Sequence, residues 1–231
     1  MRDARHEDER TDKQTVGETS PAMVGRKLRS DYTYGTAKDP SVRALEGMQL
    51  LLDQALKEGV SVQKLLEFAA KLVYSQFNIK EVAIGMKDSV DGLYKYVAMY
   101  GMRVDVWEAH KKLSYKYEDF LDQKKYRWLA ISKQTKLFLA EDDPYQENEQ
   151  NTYSRHLMMK SKRKTADDSI EGDYLDIVIQ GPNDLLLGWL EISGTWDNKI
   201  PDARTVRCLE IVASTLGIAL TLRRAEELSK E

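Results

Sequence analysis

The sequence has very little cysteine and histidine. Of its 231 residues, one is cysteine (Cys208) and three are histidine. A single cysteine excludes an intramolecular disulfide and any metal site built from several cysteines. His6 falls in the charged N-terminal segment and His110 on a predicted exposed helix face, and neither has metal-ligand spacing, so no metal site is predicted. The sequence also contains no Gly-rich phosphate loop and no Ser/His/Asp order. We therefore do not expect an enzyme.

The chain also lacks a strong charge of either sign. Its 35 Lys and Arg residues against 38 Asp and Glu residues give a net charge of −3, which argues against a nucleic-acid or membrane partner. The basic cluster at residues 160–164 is followed by Asp167 and Asp168, whose charges largely cancel its field. No apolar run is expected to reach the length of a membrane span, and the N-terminus is charged rather than signal-like. The expected location is the cytoplasm.

The composition changes near residue 40. Residues 1–40 are mostly charged or small and polar, with almost no apolar periodicity. Such a segment buries too little apolar surface to offset its ordering entropy, so we predict a disordered charged tail. An alternative interpretation is a docking arm that uses residues 26–29 with Tyr32 and Tyr34. Residues 41–231 are long enough for one large folded domain.

Two amphipathic helices are predicted at the start of this domain. The first covers residues 41–58 and is closed by Gly59, and the second is capped by Ser61. The expected apolar face of the first helix consists of Leu45, Met48, Leu52, Ala55 and Leu56.

The rest of the domain alternates between strands and helices. A hairpin is predicted over residues 81–100, with Asp91 and Gly92 in its turn. A helical piece follows around residues 104–112, and then an irregular middle with one strand at residues 136–140. Two strands, 174–180 and 185–192, are joined by a tight turn and followed by a long helix from about residue 202.

The last third of the sequence resembles a known family. Its final strand matches the pattern G-x-L-x-[IVL] at Gly188, Leu190 and Ile192. Its final helix matches the pattern L-E-x-[IV]-A-x-x-[IL]-[GA]-I-A-L at Leu209, Glu210, Ile211, Ala213, Leu216, Ile218, Ala219 and Leu220. Both patterns are similar to the end of a GAF domain. The order of the predicted elements extends the resemblance over roughly residues 42–229.

The resemblance implies an α+β fold of the GAF/PAS-like type. A central antiparallel sheet of about five or six strands would carry the N- and C-terminal helices on one face. Irregular loops and short helices would cover the other. In the strand at residues 174–180, aliphatic side chains on one face alternate with aromatic and polar side chains on the other, which we call the mixed face. In the following strand, Leu185 and Leu187 are predicted to share this mixed face with Trp189. In GAF domains a ligand pocket lies between the sheet and this cover.

A function also follows from the resemblance. It implies a small-molecule-sensing or regulatory domain in intracellular signalling, which transmits through the terminal helices of a dimer to a separate partner. The alternative is a ligand-free GAF scaffold for dimerisation or protein docking. The candidate ligand-binding residues are Tyr100, Trp107, Trp128, Tyr153, His156 and Tyr174. The aromatic ones either stack on a planar or cationic ligand or simply fill a second core layer, and the ligand and any cofactor are unknown.

Three better-defined GAF chemistries are not expected. GAF-type methionine sulfoxide reductases use a pair or triplet of cysteines, and bilin-attaching GAF domains use a cysteine near the pocket, whereas Cys208 is single and lies on the terminal helix. Cyclic-nucleotide-binding GAF domains carry an Asn-Lys…Phe…Asp-Glu pattern. Asn198 and Lys199 are not followed by such a pattern. His156 would lie where some GAF sensors place a haem ligand or tetrapyrrole contacts.

The terminal helix is apolar on two sides when projected at 100° per residue. The face expected to pack on the sheet contains Leu209, Val212, Ala213, Leu216, Ala219 and Leu220. The nearly opposite face contains Ile211, Ile218, Leu222 and Ala225. Either the N-terminal helix or a partner subunit must cover this second face. GAF domains often dimerise through a bundle of these helices, so the four residues are predicted to form a homodimer interface.

Overall fold

The computed structural model of the protein describes residues 21–35 and 39–228. The chain divides into two units between residues 37 and 38. The first unit contains a 15-residue helix, α1 (Pro21–Gly35). Over residues 21–35 this differs from the predicted tail without regular structure, because residues 22–29 are mostly good helix formers and proline is favoured at the first helical position. For residues 1–20 and 36–38, which lie outside the described part, the prediction of a disordered tail stays a prediction. His6 and the side chains of Tyr32 and Tyr34 lie outside the described part.

The second unit is built on one antiparallel sheet with the strand order β2-β1-β6-β5-β4-β3. Its strands are β1 (Ile79–Lys87), β2 (Tyr94–Tyr100), β3 (Leu129–Ala130), β4 (Thr135–Phe138), β5 (Tyr174–Gln180) and β6 (Leu186–Thr195). In the β1–β2 turn, the Asp88 carboxylate accepts a hydrogen bond from the N–H of Val90 (2.8 Å), and Gly92 has a positive φ of 74°. The predicted α+β fold with five or six strands is confirmed.

Three helices cover one face of the sheet. They are α2 (Pro40–Leu56), α3 (Val62–Gln76) and a C-terminal helix, here α6 (Ala203–Leu228). Helix α3 packs on β1 and β2, α6 packs on β5, and α2 packs on both helices. Ser61 caps α3 as predicted, because its hydroxyl accepts from the N–H of Lys64 at 3.3 Å.

The predicted buried face of α2 is partly wrong. Its inward face is formed by small residues and one leucine, Ala44, Gly47, Leu51 and Ala55. A Cβ atom at Gly47 would lie only 2.9 Å from Leu72 of α3, which shows how closely the two helices approach. Leu45, Leu52 and Leu56 are instead exposed, at 61%, 37% and 70%.

Helix α6 is long and apolar enough, by length and composition, to cross a membrane over Ala203–Glu226. This corrects the expectation from the sequence that no run reaches that length. Most of its apolar residues are buried against β5 and α2, which is the ordinary situation of a core helix in a protein folded around a sheet.

Loops and the short helix α4 (Val104–His110) cover the opposite face, and a second short helix, α5 (Arg155–Lys160), lies between β4 and β5 in the chain. We call this layer the cover. It encloses a second core around Trp189, which is only 2% exposed. Its ring centroid lies 4.9 Å from that of Tyr96, 5.7 Å from that of Tyr115 and 5.2 Å from that of Phe120.

A β-bulge in β2 changes which side chains face the cover. Val97 is an extra residue between the paired positions Tyr96 and Ala98. A bulge of one residue reverses the alternation beyond it. Tyr94 and Tyr96 therefore pack in the core under the cover, whereas Tyr100 packs in the core under the helices.

A second bulge, at Leu187, has the same effect in β6. The partners of Gly188 and Leu186 are consecutive residues of β5, which leaves Leu187 unpaired between them. Leu186 faces the cover and Leu187 the helices. The prediction that Leu187 shares a face with Trp189 is therefore wrong, and Leu185 is exposed.

Candidate functional site

A cavity of about 40 Å3 lies between the sheet and the cover. Eight aromatic residues line it: Tyr96, Tyr115, Phe120, Tyr126, Trp128, Phe138, Tyr174 and Trp189. Five charged residues complete the lining: Asp119, Lys136, Glu149, Asp176 and Glu191. We call this space the aromatic cavity. A second, more polar cavity lies on the other side of Glu191.

The floor of the aromatic cavity carries a row of charged residues from three neighbouring strands. Lys136 of β4 is directly opposite Asp176 of β5, and Asp176 is directly opposite Glu191 of β6. Side chains of such cross-strand pairs on one face have Cβ atoms about 4.5–5.5 Å apart, and like charges placed directly opposite are destabilising. The sheet thus holds two carboxyl groups side by side.

Glu191 is 7% exposed and has partners on two elements. The hydroxyl of Tyr96 donates to its Oε2 at 2.5 Å, and Nε2 of His110 lies 3.7 Å from its Oε1. Nδ1 of His110 donates to the carbonyl of Val106 at 2.8 Å. Burial lowers the pKa of His110, but the hydrogen bond and charge of Glu191 more than offset it and leave this pKa raised. The prediction that His110 lies on an exposed helix face is wrong, since it is 4% exposed.

Glu149 is a second buried carboxylate, and neutral groups hold it. The hydroxyls of Tyr115 and Tyr126 donate to its Oε1 at 2.9 and 3.0 Å. The backbone N–H of Gln146 donates to its Oε2 at 2.6 Å. Hydrogen bonds of this kind satisfy the oxygens without neutralising the charge.

Asp176 is less well satisfied. Its Oδ1 is shielded from solvent and has no hydrogen-bond partner among the described residues. Burial and the nearby charge of Glu191 raise the pKa of Asp176 well above its usual range. Lys136 does not neutralise it by a direct contact, because its ammonium group donates to the carbonyl of Phe120 and lies 4.0 Å from the ring centroid of Trp128.

This raised pKa gives a prediction for stability. In the unfolded chain an aspartate titrates near 3.9, so above that pH the folded state holds a proton that the unfolded state has lost. The free energy of unfolding therefore falls as pH rises, until the folded carboxyl also ionises. We expect Asp176→Asn to be more stable than the wild type at pH 7–8, by a margin that shrinks towards pH 4. Urea denaturation of both proteins across this range measures it, and a pH-independent difference would contradict it.

The structure brings some of the predicted site residues together. Trp128 and Tyr174 line the aromatic cavity, where Tyr174 stacks on Phe138 with ring centroids 4.3 Å apart. Tyr153 stacks on Tyr145 at 3.8 Å and lines the second cavity. Trp107 is partly buried against the core around Trp189. For these four residues a role in ligand binding stays a prediction.

Two of the predicted residues lie elsewhere. Tyr100 packs on Tyr74 of α3, with ring centroids 4.7 Å apart, because the β2 bulge turns it to the helix side of the sheet. His156 is exposed on the short surface helix α5 and lines neither of the two cavities described above. Their predicted placement beside a pocket is therefore wrong.

The charged floor is the part of the site that the sequence-based prediction missed. The alternation of β5 and β6 does place Asp176 and Glu191 on the mixed face. Their position directly opposite each other depends on the strand register, which no local pattern in either strand gives.

Comparisons with known proteins connect this geometry to a fold. No protein-family model matches the chain, and no curated protein sequence does. Among solved structures, it is similar to the GAF domain of a phosphoenolpyruvate-protein phosphotransferase from Coxiella burnetii (TM-score 0.52, 14% identity, 81% of this chain and 98% of that chain). It is also similar to the nlh2 GAF domain of A. aeolicus in an inactive state (0.51, 10% identity, 80% and 99%).

A third similar structure is the phycoerythrobilin-bound GAF domain of a cyanobacterial phytochrome (TM-score 0.53, 12% identity, 79% of this chain and 96% of that chain). At these identities the similarity concerns the fold. The six-stranded sheet, with helices on one face and an irregular cover over a cavity on the other, is the GAF fold.

Proposed function

We propose that this chain is a non-catalytic sensory or regulatory GAF module of intracellular signalling, which binds a small molecule in the aromatic cavity. The observation that carries the proposal is the cavity itself, with eight aromatic residues and a few buried polar groups. Concave sites lined mainly by aromatic and apolar side chains, with a small number of polar groups, are typical for small ligands. The solved structures of similar fold named above, which include a bilin-bound GAF domain, support this function by analogy of fold. A cytoplasmic location and output to a separate partner are part of the proposal.

Contacts across the sheet give a route for transmission. Tyr174 and Asp176 of β5 line the cavity, and the same strand carries α6 on its other face. A Cβ atom at Gly217 of α6 would lie 2.1 Å from the carbonyl oxygen of Gln180. The helix thus touches the strand backbone, so a ligand that displaces β5 also displaces α6.

The surface that receives this displacement is the second apolar face of α6. Ile211, Ile218 and Leu222 are 46%, 57% and 47% exposed, and Ala225 is also exposed. Their spacing of seven, four and three residues forms one stripe along the helix. We propose that a second copy of the chain covers it.

Helix α2 adds a matching stripe. Arg204 lies 3.5 Å from Asp39 at the start of α2, and Arg223 donates to the carbonyl of Lys57 at its end. One contact joins the starts of the two helices and the other lies near their ends, so α2 and α6 run parallel and side by side along the length of α2. Along the helix axes, the exposed Leu45, Leu52 and Leu56 of α2 are therefore level with Ile211, Ile218 and Leu222 of α6. This arrangement is expected for a helix bundle between two copies of the chain.

A thermal-shift screen tests ligand sensing. We expect at least one compound from a panel of nucleotides, haem, flavin, amino acids and amines to raise the melting temperature of the wild type, since binding stabilises only the native state. Trp128→Ala and Tyr174→Ala, which remove two rings that line the aromatic cavity, should lose this response. Each should also cost less unliganded stability than the roughly 3–5 kcal/mol typical of a core aromatic, for which Phe77→Ala is the matched control.

The same screen decides against the proposal if every compound is without effect and both variants are as destabilised as Phe77→Ala. The aromatic rings would then be plain core. The alternative function, a ligand-free GAF scaffold for dimerisation or docking, would account for the chain.

A further inference from the structure

We propose that the ligand of the aromatic cavity is a small organic ammonium ion, held between the carboxyl groups of Asp176 and Glu191 and the surrounding rings. This inference rests on the proposed function and specifies the chemical class of ligand that the cavity accepts. Three observations support it: the charges of the lining, the missing partner of Asp176 and the position of Lys136.

The lining has far more acid than base. Four carboxyl groups face the cavity, from Asp119, Glu149, Asp176 and Glu191, against the single ammonium group of Lys136. Of the four acids, Asp119 is paired outside the cavity with Lys125 at 2.8 Å, and Glu191 has Nε2 of His110 at 3.7 Å from its Oε1, which leaves Glu149 and Asp176 without a basic side chain in contact within the described part of the chain. A buried carboxylate is costly without a counter-charge. A phosphate or carboxylate ligand would add to this excess, so the cavity does not suit an anion.

Asp176 provides the place for a hydrogen-bond donor. Its buried Oδ1 lacks a partner among the described residues, whereas the oxygens of Glu149 and Glu191 accept from tyrosine hydroxyls. Because Asp176 and Glu191 are directly opposite on neighbouring strands, one N–H-bearing cation can contact both. When it binds, Asp176 releases its proton to solvent and accepts the N–H of the ligand.

The rings provide the second half of an ammonium site. Cations are attracted to the faces of Trp, Tyr and Phe within about 6 Å of the ring centroid. The chain already shows such a contact inside this cavity, because Nζ of Lys136 lies 4.0 Å from the centroid of Trp128. The remaining rings, including Tyr96 and Tyr174, surround the carboxyl pair and would contact the ligand in the same way.

Matched pairs of amines and alcohols test the inference on the full chain. The probes are butylamine and phenethylamine, each with its neutral counterpart, 1-butanol and 2-phenylethanol, followed by methylamine and agmatine. Binding is measured by calorimetry and thermal shift in phosphate buffer, because Tris is itself an ammonium ion. We expect at least one of the paired amines to raise the melting temperature and its alcohol counterpart to have no effect.

Two variants locate the site. Asp176→Asn keeps the shape of the side chain but removes its charge, so it should weaken amine binding by at least about tenfold, the loss of one charged hydrogen bond. A melting temperature at or above that of the wild type shows that this variant is folded. Asp142→Asn makes the same chemical change at an exposed position outside the cavity, and amine binding should be unchanged.

The outcomes separate the two proposals. If amines and alcohols bind equally, or if Asp176→Asn binds amines as well as the wild type does, the ammonium inference is wrong. If all amines fail but another compound of the wider screen binds and depends on Trp128, the inference is wrong and the sensing function stands. If no compound of either set binds, the ammonium inference is wrong, and the sensing function is wrong as well if both ring variants are as destabilised as Phe77→Ala.

Discussion

Replacing Gly85 with alanine should destabilise the protein by about 3 kcal/mol or more, at the upper end of what overpacking costs. Gly85 of β1 is directly opposite Trp189 of β6, and the indole ring lies over it. A Cβ atom at this position would be 2.0 Å from Cη2 of Trp189. The ring is 2% exposed and enclosed by Tyr96, Tyr115 and Phe120, so it has no free space into which it could move.

A double-mutant cycle shows whether the ring is the cause. Trp189→Ala alone should cost about 3–5 kcal/mol. In that background Gly85→Ala should cost less than about 1 kcal/mol, since the clashing atoms are gone. Urea denaturation followed by circular dichroism measures all four proteins. Additive costs would mean that the strand backbone, rather than Trp189, requires the glycine.

A glycine without near neighbours serves as the control. Nothing lies within 4 Å of a Cβ atom at Gly25 in α1. Gly25→Ala should therefore be neutral or slightly stabilising, because alanine favours the helix.

The double substitution Ile218→Glu and Leu222→Glu should convert the proposed dimer into a folded monomer. Both residues are exposed within the chain, so neither change disturbs the intrachain core. In the dimer each glutamate would face apolar side chains of the second copy, and burying an unpaired charge costs several kcal/mol. We expect the mass measured by light scattering to halve, with the circular dichroism spectrum retained.

Val104→Glu is the matched control for this experiment. Val104 is 73% exposed on α4, in the cover, away from α2 and α6, so this change should leave the dimer intact. Loss of folding in the double variant would place these residues in the intrachain core. A double variant that remains dimeric would move the interface elsewhere, and a monomeric wild type would remove it.

Signals that act over a few residues were sufficient to predict the order of the elements. The cap of Ser61, the turn at Asp91 and Gly92, and the spacing of apolar residues in α3 each depend on neighbours within about four positions. Such contacts join a side chain to backbone or side chains only a few positions away, so the local sequence is enough to predict them. The GAF fold could therefore be predicted from the chain although its identity to the structures named above is only 10–14%.

It was harder to predict from the sequence which residues of an element are buried and which are exposed. In α2, a stripe with Leu45 and Leu52 and a stripe with Ala44 and Leu51 both have helical spacing. The smaller residues are buried because α2 packs closely on α3 and α6, and this close approach is a property of the assembled layers.

What the sequence alone determined is therefore the succession of helices, strands and turns, and the presence of aromatic and acidic residues on the mixed face of the sheet. Only the tertiary structure decided that Tyr100 faces the helices and that Asp176 lies opposite Glu191. A bulge of one residue moves every side chain beyond it to the opposite face of the sheet. The strand register decides which residues, far apart in the chain, are paired. Both depend on the partner strand, and for that reason the carboxyl pair under the aromatic rings is visible only in the folded protein.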